Sequence, residues 1–282
     1  MLTTTLDGLW VLQILTGIEV VAPELGLRPV LPSVETKDMA LAHPVADELK
    51  AEGVIDEHGA VDPAVVEWLT VLARRDMALW LQAVRPVAGE AEPVPTQVTL
   101  ARFAQWWVSL ERSDIVVRLG GAGTSSSEGA ANQVISNQLE RLCGPASPAS
   151  FKPVTVATDR ILGEVTDRDS LRRFLLSTGD LDADQMHILL TTADTGRSAQ
   201  ASIIALQSGV DAGSETRVRV EGSVVTVIDT PEGRVIAEHF ERDGRRWMIM
   251  APGSLSNIAA AVNDMVRRLP AAADWHAYRK VV

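Results

Sequence analysis

The feature that most restricts this chain is a structural unit written twice, 130 residues apart. Its first copy opens with Val98 to Leu110, rich in bulky residues that suit a pleated, half-buried surface. Glu111-Arg112-Ser113-Asp114 forms a polar turn, Ile115 to Leu119 a second arm, and Gly120, Gly121 and Gly123 end it, since a strand there has no side chains to pack. A helix follows, with Ser125 and Glu128 spaced as a capping box and Ala131, Val134, Ile135, Leu139 and Leu142 on one face. The second copy aligns Phe240-Glu241-Arg242-Asp243-Gly244 with Leu110 to Asp114, Arg245 to Ile249 with Ile115 to Leu119, and Gly253 with Gly123. Ser254 then caps a helix carrying Leu255, Ile258, Val262, Val266 and Leu269 on one face. Hairpin, glycine break, cap and amphipathic helix in the same order twice mark two related halves.

The remaining segments fill out each half. Leu9 to Thr16 reads as a strand inside a sheet, and Gly17 to Leu31 as extended chain and loop. Met39 to Glu52 and Pro63 to Arg75 read as helices, the latter capped by Asp62 with Pro63 at its first position. Met77 to Val84 is strand-like. Arg85 to Gln97, with three prolines and few apolar residues, reads as a long mobile loop between two strands. Gly144 to Pro153 reads as the linker between residues 1–143 and 154–282, both halves forming one compact domain. Asp159 to Ser177 holds one or two helices, and Asp182 caps another through Leu190. Ala199 to Gln207, Arg217 to Val220, Val224 to Asp229, Arg234 to Phe240 and Trp247 to Met250 read as strands, and Asp274 to Val282 as a short tail. Tight turns make the sheet mainly antiparallel and the helices are grouped, which is an α+β layout.

Catalytic signatures are weak throughout. Gly120 to Thr124 lacks the lysine of a phosphate loop, and the dinucleotide pattern fails at Ser126. Asp180, Asp182 and Asp184 alternate as in a calcium loop, but Gln185 stands where the sharp turn needs glycine. His43, His58, His187, His239 and His276 show no metal-binding spacing, and Cys143, the only cysteine, reads as a buried inert thiol. Trp106 and Trp107 project from opposite faces of a strand, and core is expected on both sides, with a partner contact for one of them as the alternative. A net charge of −11 argues against nucleic-acid binding. No apolar run reaches the ~20 residues of a membrane span, the opening residues do not read as a signal peptide, and a cytosolic protein is expected. A two-half, acidic, catalytically silent scaffold fits a protein that binds another protein. The alternatives are a self-associating structural scaffold, or an enzyme whose site is not visible in sequence.

Several motifs carry a resemblance. Asp7-Gly8-Leu9-Trp10-Val11-Leu12, Val65-Val66-Glu67-Trp68-Leu69 with Arg74-Arg75-Asp76, and Leu100 to Val108 with Arg118-Leu119 resemble the EspG family, chaperones of type VII (ESX) secretion. The likeness runs over nearly the whole chain and is strongest before Cys143; among paralogues it leans to the one serving the metal-acquisition-linked ESX system. It implies a quasi-two-fold α+β fold with a central twisted antiparallel sheet and helical bundles, and no catalysis or cofactor. It also implies a PE–PPE heterodimer as partner, whose apolar PPE tip is capped before export, with the free protein a monomer or weak homodimer and no membrane insertion. Carried onto this sequence, the client surface comprises Arg85, Val87, Glu90 and Glu92 in the long loop, Arg102 on the adjoining strand, and Arg197, Glu215, Arg217, Glu221 and Asp229 in the second half.

Overall fold

The computed structural model describes residues 1–86, 94–159, 165–177, 181–194, 196–208 and 218–269. The first half runs β1 (Leu2–Thr5), α1 (Leu6–Thr16), α2 (Lys37–Leu41), α3 (Pro44–Ala51), α4 (Pro63–Arg74), β2 (Met77–Val84), β3 (Thr96–Phe103), β4 (Trp106–Ser113), β5 (Val116–Thr124) and α5 (Glu128–Cys143). The second runs β6 (Val154–Ala157), α6 (Arg168–Ser177), α7 (Ala183–Thr192), β7 (Ala199–Ser208), β8 (Val218–Val220), β9 (Val224–Thr230), β10 (Gly233–Arg242), β11 (Arg245–Pro252) and α8 (Leu255–Arg267). All eleven strands join one sheet in the order β1-β5-β4-β3-β2-β7-β9-β10-β11-β6, with β8 beside β7 off that path. The two halves meet where β2 pairs antiparallel with β7, Leu79 opposite Ala205. Outward from that seam the strands correspond pairwise, β3 to β9, β4 to β10, β5 to β11 and β1 to β6. The fold is thus α+β with quasi-two-fold symmetry, one helix preceding each central strand and one following each last hairpin.

One face of the sheet carries a single core shared by both halves. There α5 and α8 pack Ile135, Leu139, Val262 and Met265 onto Leu79, Leu100, Ile203 and Val227. The two helices are tied by Glu128, which accepts from Asn263 Nδ2 at 3.0 Å and pairs with Arg267 at 3.2 Å. The opposite face carries two separate cores. In the first half Trp10, Leu12, Leu69 and Leu72 cover Val108, Leu110, Val117 and Leu119. In the second, Phe174, Leu175, Ile188 and Leu189 approach Ile228, Val235, Ala237 and Met250.

Several expectations change. Leu9 to Thr16 is helix α1, not a strand. Every residue from Gly8 to Leu15 is buried, so the run shows no apolar stripe and periodicity cannot distinguish the two. Thr5 starts it by accepting from Gly8 N at 3.2 Å. Met39 to Glu52 is broken into α2 and α3 by Pro44. Val98 to Leu110 is two strands, not one arm: the chain reverses at Ala104-Gln105, with Ala104 at φ 57° and Phe103 opposite Trp106. The strand does not stop at Gly120 but runs to Thr124, through a bulge beside Trp107 and Val108. The glycines serve close approach: a Cβ at Gly121 would sit 3.4 Å from Trp68 Nε1 and one at Gly123 (φ +135°) 3.1 Å from Val134. Ser127, not Ser125, caps α5, accepting from Ala130 N; Ser125 is buried and accepts from Trp107 Nε1 at 2.7 Å. Trp107 is 1% exposed but Trp106 is 53% exposed, so core lies on one side of that pair only.

The repeat itself holds in topology, with its register corrected. Both hairpins turn on two residues, Asp114-Ile115 between Ser113 and Val116, and Asp243-Gly244 between Arg242 and Arg245. Asp114 and Asp243, at φ 54° and 55°, are equivalent and stand 129 residues apart, not 130. A one-residue slip sends every side chain to the wrong face. At the corrected offset Leu110 and its partner Leu119 correspond to His239 and its partner Met248, all on the face that carries the separate cores. Beyond the β5 bulge the one-to-one match ends, so Gly123 and Gly253 are not equivalents.

Candidate functional site

The second half contains an apolar cleft of about 670 Å³ between β9–β11 and the helices α6 and α7. Ile228, Ala237, Met248 and Met250 form its floor, and Leu171, Leu175 and Leu189 its helical wall. The cleft exists because the two helices sit differently from their counterparts. In the first half α4 lies across β3, β4 and β5, and α1 packs beside β5. In the second half α7 packs on β9 and on α6, which leaves β10 and β11 less covered. Gln185 locks the base of α7: it completes a capping box with Asp182 and donates to the carbonyls of Lys152 and Pro153.

The charged groups lie toward one end. His239 projects from β10 into the cleft, and burial alone pushes its imidazole below the ordinary histidine range, so the ring is neutral at pH 7. Glu241 and Arg246, opposite each other on β10 and β11, stand at the mouth. Thr226 and Gln200 add neutral polarity. On the other face of the sheet, Glu238 is pushed above the usual carboxylate range by burial, with Arg268 opposing and Asp264 adding to the rise. Among the described residues no cluster of three metal-ligating side chains exists. Cys143 is partly buried and its thiol is pushed up by burial, the opposite of an activated nucleophile.

The residues expected at the client surface fall at two ends of the sheet, separated by the length of β2, about 23 Å at ~3.3 Å per residue. At one end Arg85 donates to the Leu142 carbonyl at the end of α5. Arg197 is exposed at the start of β7, and Asp229 grips the buried Arg234 through Oδ1 at 2.6 Å and Oδ2 at 2.9 Å. At the other end Glu221 accepts from Arg268 Nε at 3.2 Å and from the Ser223 hydroxyl at 2.8 Å. Arg102 there is only 5% exposed, held by Asp76 at 3.2 and 2.9 Å. Val87, Glu90, Glu92, Glu215 and Arg217 lie outside the described residues. Sequence reading missed the cleft lining, above all His239. Its signal was the register: position 239 is the twin of a core leucine, visible only once the offset is 129.

Comparison with known proteins bears on the same chain. The EspG family model matches residues 5–264. An ESX-2 secretion-associated protein EspG2 of Mycobacterium tuberculosis is 49% identical over 282 residues, the whole of both chains. An ESX-5 secretion-associated protein EspG5 of Mycobacterium marinum is 26% identical over 99% of this chain and 97% of that one. Among solved structures, the Mycobacterium tuberculosis type VII secretion system chaperone EspG5, in complex with a PE25–PPE41 dimer, shares the fold with a TM-score of 0.74, 23% identity and 99% coverage of each chain. The motifs lean to the metal-acquisition-linked paralogue, whereas the relative at 49% identity is an ESX-2 protein. Among the described residues no helix is long and apolar enough to cross a membrane.

Proposed function

The chain belongs to the EspG family, and from that premise we propose that it is a cytosolic, non-catalytic chaperone of type VII secretion that holds a PE–PPE heterodimer by the apolar tip of the PPE subunit. The observation that carries this reading is the cleft, an apolar hollow of about 670 Å³ in one half whose counterpart in the other half is filled. An exposed apolar patch on a client is an aggregation liability. Each leucine-sized side chain taken from water contributes ~1.5–3 kcal/mol, so two seated in the cleft supply ~3–6 kcal/mol. Around it, Glu221 precedes the lining Gly222, and Arg197 follows the lining Ala193 by four residues. These two are the charged residues next in sequence to the lining, placed to set partner choice and approach. Arg85 reaches the end of α5 on the other face of the sheet, and Val87, Glu90, Glu92, Glu215 and Arg217 stay candidates for the client surface on the family resemblance alone. Arg102 and Asp229 act from behind it, through their pairs with Asp76 and Arg234.

Co-expression tests this directly. A PE–PPE pair that precipitates alone should stay soluble and co-elute with the full chain in size-exclusion chromatography. If every pair from the same genome remains insoluble and elutes apart from the chain, the reading fails.

A further inference from the structure

Position 239 breaks the rule that its surroundings set. Its symmetry twin Leu110 is 0% exposed and sits in a closed core beside Leu119. His239 occupies the same place in the second half, between Val224 on β9 and Met248 on β11, and lines the open cleft. None of the hydrogen bonds or ion pairs found among the described residues involves its ring. The floor and helical wall are mainly hydrocarbon and thioether, with Thr192, Gln200 and Thr226 the neutral polar exceptions. His239 is half-buried, and a polar ring without a protein partner where the twin position holds a leucine is a local violation of the kind that marks functional positions.

We propose that His239 is a specificity-determining residue of the client cleft, its neutral imidazole donating a hydrogen bond to a free backbone carbonyl at the end of an apolar client helix. The inference rests on the proposed chaperone function. A helix end offers unsatisfied carbonyls together with its side chains, so the cleft distinguishes a helix tip from any other greasy surface. The charged groups that face His239 are few. Glu241 lies two residues along β10 on the same face, Arg246 lies across on β11, and β9, α6 and α7 present no titratable side chain to the cleft. Glu238 and its neighbours Arg268 and Asp264 belong to the opposite face. Seating a client dries the cleft further, which disfavours the imidazolium more in the complex than in the free protein. Affinity therefore falls as the pH drops from 7.5 to 5.5.

The test uses the full chain and the PE–PPE heterodimer that co-elutes with it, with the PE25–PPE41 dimer as comparison probe, titrated calorimetrically at pH 7.5 and 5.5. His239→Leu, which installs the residue of the twin position, should bind at least tenfold more weakly at pH 7.5 while melting no lower than the parent. His239→Gln, which keeps a donor but cannot titrate, should bind within about threefold of the parent and lose the pH dependence. Leucine binding as tightly as histidine, or glutamine retaining the parent's pH profile, overturns the assignment. Ala193→Trp, which puts a bulky ring at a lining position of the cleft, separates this from failure of the underlying reading. If Ala193→Trp leaves affinity unchanged, the client does not use the cleft at all and the assignment falls with it. If Ala193→Trp weakens binding while His239→Leu does not, the cleft stands and the role of His239 falls alone.

Discussion

The two halves share strand order and hairpin turns, yet one is finished and the other is not. In the first half α1 is buried on all sides and α4 lies across three strands, so Leu110, Val117 and Leu119 end in a closed core. In the second half α6 and α7 stand off β10 and β11, and the twin positions hold His239, Arg246 and Met248 around an open cleft. The same topology therefore gives a foundation in one half and a receptor in the other. Symmetry supplies the frame, and departure from it marks the site.

The comparison breaks most sharply by exchanging residues at the twin positions. Leu110→His places an unpartnered polar ring in the closed core and removes leucine packing. It should cost about 3–6 kcal/mol, the sum of the lost leucine burial and an unsatisfied buried group. His239→Leu should be neutral or slightly stabilising, because the cleft accommodates it. Urea unfolding of both variants reads the asymmetry directly.

Both halves hold buried arginines, Arg75 and Arg102 in the first and Arg234 in the second. Arg75, 4% exposed, is clamped by both oxygens of Glu24 at 2.6 and 2.7 Å, and Glu24 also accepts from Thr99. Arg234, 2% exposed, is clamped by Asp229, which is itself 24% exposed. Removing one partner of a buried pair strands the other. Arg75→Met should therefore cost about 3–5 kcal/mol, the cost of breaking a buried pair. Arg234→Met should cost less, since water reaches the orphaned Asp229. Equal losses would mean the second half is as tightly sealed as the first.

The smallest effects are in pH. Burial depresses the His239 pKa, so the neutral ring's contribution is fully present above the unfolded histidine value near 6.5 and is lost as pH falls below it. His239→Leu should flatten stability between pH 7 and 5. Glu238 shifts the other way. With its folded pKa raised, stability is lost as pH climbs from the unfolded value near 4.5 through the folded one. Glu238→Gln should recover that loss at neutral pH. Thermal melts across pH 4 to 8 check both signs.

Much of this frame was legible in the residues. The pattern around Asp62 and Pro63 places α4, the Asp182–Gln185 box starts α7, and alternating apolar residues define β2, β7 and the β9–β11 meander. Helix α1 was not legible, because a run buried on every side carries no periodicity. The Ala104 turn was hidden too, since alanine at positive φ lacks the glycine or asparagine that advertises one. Arg102 looked like a surface charge because the aspartate that claims it lies 26 residues away in sequence. The cleft had no sequence signature of its own. It arises from how far α6 and α7 stand from the sheet, and it became readable only when the hairpin turns fixed the offset at 129 and set His239 against Leu110.

Hydrogen–deuterium exchange, comparing the free chain with its PE–PPE complex, tests the central claim most directly. The account predicts new protection along β10, β11, α6 and α7, with α1 and α4 exchanging as in the free protein. Protection confined to the first half, or a complex that leaves β10 and β11 unchanged, would contradict it.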